Sequence, residues 1–148
     1  MKSGLDAPSV ALAVLLVLAA GCSALRGATP EVPALVLLQR SPWDAEIRRP
    51  LAKLGFKVVD ADDPAAAGVR YGLAVSFGPR IDYCVVNEHE KLARVTYELT
   101  ELASRQMVTR VQKPGWTGPC IIRWPTVFDE LAEELAAAWP DGVGLAGR

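Results

Sequence analysis

The segment "DYCVVNEHE" places Asp82, Cys84, Glu88 and His89 close together, and Cys120 follows farther along the chain. Thiolate, imidazole and carboxylate are all zinc ligands, but their spacing matches no structural-zinc pattern. The same two sulfurs can instead oxidise to a disulfide. Nucleophilic catalysis by a triad needs a base, and the chain holds one histidine, His89. It has no G-x-S-x-G, no phosphate-binding glycine loop and no H-E-x-x-H. Carboxylates pair at Asp62-Asp63, beside Pro64, and at Glu133-Glu134, on the wet side of an apolar helix pattern; both read as solvated charge. No catalytic residue, no cofactor and no metal are therefore assigned. In "KPGWTGPCIIRWP", Trp116 and Trp124 flank Cys120. The plainer reading is that they close the end of the core; the other is that they anchor a partner, as exposed tryptophans do at interfaces.

The third cysteine lies in "ALAVLLVLAAGCSALRG". From Val10 to Ala20 every residue is Val, Ala or Leu. At ~1.5 Å rise per residue this run covers only about half of a ~30 Å hydrocarbon core. It follows Lys2 and ends in small residues, the layout of a cleaved export signal. Leu18-Ala19-Ala20-Gly21-Cys22 resembles the lipobox of bacterial lipoprotein signals. That resemblance implies a diacylglyceryl thioether on Cys22, cleavage before it, and acylation of the new amino terminus. Ser23 then implies sorting to the outer membrane, with the domain on the periplasmic face. The alternatives are an ordinary secretory signal with Cys22 incidental, and an uncleaved anchor. An exported chain meets an oxidising compartment, so Cys84 and Cys120 are expected to pair. Strand order supports them, because a meander brings both to one edge of the sheet.

The chain has 148 residues and a formal net charge of −1, a near balance that argues against nucleic acid as a partner. Residues 1–21 read as the signal and 22–33, with two prolines beyond Cys22, as a tether. Residues 34–140 read as one domain, and 141–148, "DGVGLAGR", as a tail expected to fray.

Within the domain, "ALVLLQ" reads as a buried strand. Ser41-Pro42 opens a helix with Asp44 in its first turn and Trp43, Ile47, Leu51 and Leu54 on one face; Gly55 stops it. Pro50 removes the bond to the Glu46 carbonyl and predicts a kink or broken turn near Arg49. "FKVVD" completes a β-α-β unit, and "ADDPAAAG" is a loop. In "RYGLAVSFG", Tyr71, Leu73, Val75 and Phe77 alternate with small residues; in "KLARVTYELTEL", Val95, Tyr97 and Leu99 alternate with Arg94, Thr96 and Glu98. "RQMVTRVQK" follows a turn at Ala103-Ser104, giving a three-stranded antiparallel meander. Pro125-Thr126 then opens a helix whose stripe is Phe128, Leu131, Leu135 and Trp139, ended by Pro140. The expected class is α+β, an α/β sandwich with helices on one face of a mixed sheet.

This order, the leader, and the strands "YGLAV" and "TYELTEL" are similar to small Gram-negative envelope lipoproteins. Nearest in shape are the lipoprotein activators of penicillin-binding proteins and the amino-terminal domain of the Tol-Pal β-propeller protein. The resemblance implies a fold and a compartment, and carries over no binding site. The functional expectation is a non-enzymatic, membrane-anchored accessory domain with an envelope protein as partner. The alternative is a small-ligand or metal-binding carrier, whose pocket would be built from the Trp116 to Trp124 segment and His89.

Overall fold

The computed structural model describes residues 32–120 and 125–140; the signal, Cys22, nearly all of the tether, Trp124 and the tail lie outside the described residues. The chain runs β1 (Ala34–Leu37), α1 (Asp44–Lys53), β2 (Lys57–Asp60), a single 3-10 turn (Pro64–Ala66), β3 (Tyr71–Phe77), β4 (Arg80–Cys84), β5 (His89–Glu101), β6 (Gln106–Trp116) and α2 (Val127–Ala137). β1 is parallel to β2 on one side and to β3 on the other. β3, β5 and β6 form the antiparallel meander. The class is α+β, as the periodicities require.

Side-chain alternation decides which face is covered. Leu37, Leu73 and Leu99 are neighbours across three strands, as are Val75, Tyr97 and Val111 across another three. All of these meet Ile47 and Leu51 of α1 and Phe128, Leu131 and Leu135 of α2 in one core. Each such side chain contributes about 1.5–3 kcal/mol when fully buried. Both helices therefore lie on the same face. On the other face Val59, Val36, Gly72, Thr100 and Met107 form one row across the sheet. An added Cβ on Gly72 would come within 2.8 Å of Leu102 and 2.9 Å of Leu38, so those two leucines lie over the row.

Local chemistry explains the boundaries. After α1, the Gly55 N–H reaches the Ala52 carbonyl at 3.0 Å and the Phe56 N–H the Leu51 carbonyl at 3.0 Å, with Gly55 at φ 88°. This is the two-bond helix stop that only a left-handed residue allows. At the other end, Trp43 N–H donates to the Ser41 hydroxyl at 3.2 Å, and the regular helix starts at Asp44, later than Ser41-Pro42 implied. α2 opens with a full capping box: Thr126 Oγ1 accepts from Asp129 N–H at 3.2 Å, while Asp129 Oδ2 accepts from Thr126 N–H at 2.8 Å.

Two expectations are corrected. No turn is broken at Pro50: α1 is continuous from Asp44 to Lys53, with Pro50 itself buried between Ile47 and Leu51. Packing outweighs one lost backbone bond there. The stretch after Phe77, read as a connection, forms β4, which prolongs β3 along the same side of β5 beyond a break at Gly78-Pro79. Gly78 N–H still reaches Arg94 O at 2.7 Å, and Ala93 N–H reaches Pro79 O at 2.9 Å, so the ladder is carried across the break.

Candidate functional site

β4 and β5 form a hairpin whose turn, Val85 to Glu88, projects past the meander, with Glu88 at φ 53°. Cys84, the last residue of β4, is buried and bonded to Cys120, with 5.7 Å between the Cα atoms. The segment after β6 is thereby stapled to the hairpin. Polar contacts reinforce the staple: Asn87 Nδ2 donates to Pro119 O at 2.8 Å, Glu90 N–H to Thr117 Oγ1 at 3.1 Å, and Thr117 N–H to Glu90 O at 2.9 Å. His89 opens β5 and is half-buried. Its ring lies where a Gly118 side chain would be, since a Cβ built there meets Cε1 at 2.3 Å.

Outward, the hairpin exposes apolar side chains beside Arg80, Asp82, Asn87 and Glu88. Ile81, Tyr83, Val85 and Val86 are exposed, the last two at 80% and 75%, which is rare for valine. Arg80 stands over the Tyr83 ring at 5.5 Å and pairs with Glu90 at 3.1 Å. Trp116 ends β6 with Lys91 Nζ 5.9 Å from its ring centre. It is half-buried and outside the main core, whose tryptophans are Trp43 and Trp139. The two readings given for Trp116 and Trp124 both concern a pair of which Trp124 lies outside the described residues.

The other candidates separate. Both sulfurs of the zinc reading are in the disulfide, and no three His, Cys, Asp or Glu side chains converge among the described residues. Asp62 pairs with Arg40 at 3.1 Å, raising the Arg40 pKa, and Asp63 caps the 3-10 turn. Glu134 pairs with Lys113 at 2.9 Å, holding that ammonium above its ordinary range. These carboxylates are structural. An open cavity of about 250 Å³ is lined by Pro79, Ala93, Arg94, Gln112, Lys113 and Pro114. Neither His89 nor Trp116 lines it. Tyr97 is buried in the core with its hydroxyl lacking a protein partner, and burial pushes its pKa well up.

Fold and site together define a small α+β domain with a disulfide-stapled apolar hairpin. No protein-family model matches the chain, and no curated protein matches it. Among solved structures it is similar to the PelC dodecamer of Paraburkholderia phytofirmans, at 17% identity over 71% of this chain and 85% of that one, with a TM-score of 0.44. It is also similar to a candidate lipoprotein of Caulobacter crescentus, at 13% identity over 78% and 88%, with a TM-score of 0.36. Neither is named as a penicillin-binding-protein activator or a Tol-Pal domain, and at these scores neither transfers an activity.

Proposed function

We propose that this chain is a lipid-anchored bacterial envelope lipoprotein, a non-enzymatic accessory domain that works by protein contact. The observation that carries the reading is the pairing of an export leader ending in Cys22 with the Cys84–Cys120 bridge under an exposed apolar hairpin. A bridge of this kind suits an oxidising compartment. It also holds Ile81, Tyr83, Val85 and Val86 in place before a partner arrives, which lowers the ordering cost of binding. An outer-membrane location on the periplasmic face follows from Ser23 within the same reading. The reading assigns no proton transfer to His89, which packs on Gly118.

The test is fatty-acid labelling in cells. Wild-type protein takes up label at Cys22, and Cys22→Ala leaves an unlabelled, uncleaved precursor. A wild type that is cleaved, released and unlabelled overturns the anchor. For the partner, photocross-linkers at Val85 or Val86 trap one recurring envelope protein, and trapping that persists undiminished in Val85→Asp Val86→Asp argues against the hairpin as the contact.

A further inference from the structure

The exposed large apolar side chains among the described residues fall into two groups: Ile81, Tyr83, Val85 and Val86 on the hairpin, and Val32, Leu38, Met107 and Val108 elsewhere. Of the second group, Val32, Met107 and Val108 sit at the opposite end of the sheet. Pairing fixes this: Leu35 lies beside Tyr71 and Tyr71 beside Glu101, while Glu101 faces Gln106, so the first described residues and the β5–β6 turn share one rim. Val108 is the extra residue of a bulge in β6, between Thr109 opposite Leu99 and Met107 opposite Thr100. Such bulges re-aim side chains. Lys57 and Arg105 are exposed on the rim, and Arg70 pairs there with Glu101. Arg105 is held in a left-handed turn at φ 59°.

We propose that this rim rests on the lipid surface, with Met107 and Val108 dipping among the headgroups and Lys57 and Arg105 facing anionic lipid. The proposal rests on acylation of Cys22. Chain length selects the rim over the hairpin. Between Cys22 and Val32 lie ten residue steps, which reach at most about 36 Å fully extended. β5 alone has 13 residues and spans about 40 Å. With the hairpin on the bilayer, Val32 would stand farther from the lipid than its tether reaches. With the rim down the tether is slack, apolar side chains meet the acyl boundary and cations meet phosphates, the arrangement of an interfacial anchor. The hairpin then faces away from the membrane, open to a partner.

The test uses the full lipidated protein in vesicles of phosphatidylethanolamine and phosphatidylglycerol carrying a diazirine phospholipid. After irradiation, lipid adducts are expected on the peptide Gln106–Arg110 and not on the hairpin peptide bearing Val85 and Val86. Met107→Asp Val108→Asp, both at exposed sites, should keep acylation, vesicle retention and thermal stability while rim adducts fall more than about tenfold. Adducts on the hairpin, or on neither peptide while Cys22 is acylated and the protein stays bound, overturn rim docking and leave the anchor standing. A protein that carries no acyl group and washes off overturns the anchor, and docking with it.

Discussion

Replacing Cys84 and Cys120 together by serine isolates what the staple does for the fold. The bridge joins residues 36 apart, and the chain-entropy relation assigns closure of such a loop about 4 kcal/mol. Domains of this size have roughly 5–15 kcal/mol in all, so the loss is a large fraction. For a domain of about 105 residues it corresponds to a fall in Tm of roughly 18 °C. The native contacts beside the bridge remain, because Asn87 to Pro119 and Glu90 to Thr117 need no sulfur. The variant should therefore fold and unfold cooperatively at a lower urea midpoint, followed by tryptophan fluorescence, with a slightly larger m-value as the unfolded chain expands. A midpoint loss below about 1 kcal/mol would refute the argument, since the unfolded ensemble would then not be the state that the bridge restrains. Thiol labelling of unfolded, unreduced wild type checks the premise: reaction at both cysteines shows that no bridge existed to remove.

Gly118→Ala should cost about 1–3 kcal/mol in chemical unfolding, because its Cβ would stand 2.4 Å from both ring nitrogens of His89. His89→Ala in the same background should recover most of that loss, and a cycle with no coupling would refute the contact. Thr126→Ala opens the capping box of α2 and should cost about 1 kcal/mol, with Thr126→Ser restoring it. The Ser104 hydroxyl and Arg70 hold the Glu101 carboxyl below its ordinary pKa. Its stabilisation is therefore present above the ordinary carboxylate pKa and lost as pH falls through the lowered one. Glu101→Gln should flatten the acid limb of Tm against pH, and an unchanged limb would show that the exposed pair contributes nothing.

Elements that bury one face were legible because a periodic apolar pattern leaves few other arrangements: Val95, Tyr97 and Leu99 stand inward as their alternation requires, and Phe128, Leu131 and Leu135 line α2. β4 was not legible. Its side chains at Arg80, Ile81, Asp82 and Tyr83 are all exposed, so no buried face imprints an alternation, and Pro79 at its start reads as loop. The same exposure hid the candidate site. Val85 and Val86 look like core residues by type, and only the fold shows that nothing among the described residues covers them. Pro50 is a case in the opposite direction: a local rule anticipated a kink or a broken turn, and of these the broken turn does not occur, since the helix runs through with Ile47, Pro50 and Leu51 buried. The cysteine pair was legible because compartment chemistry and strand order pointed to the same partners.

The two exposed apolar groups constrain each other. A domain with one such group leaves open whether it meets lipid or protein, but here the meander keeps them at opposite ends of β5, so one flat surface cannot engage both. Val32, the first described residue, lies at the Met107 end, so on the proposed acylation of Cys22 any pull toward a bilayer would act on that rim, where Lys57 and Arg105 are exposed. The disulfide lies at the other end, at the base of the exposed turn Val85 to Glu88, where a loose hairpin would lose the most entropy on binding. A staple under an exposed apolar tip thus has a physical use if the tip binds, whereas for stability alone it could close a loop anywhere in the chain.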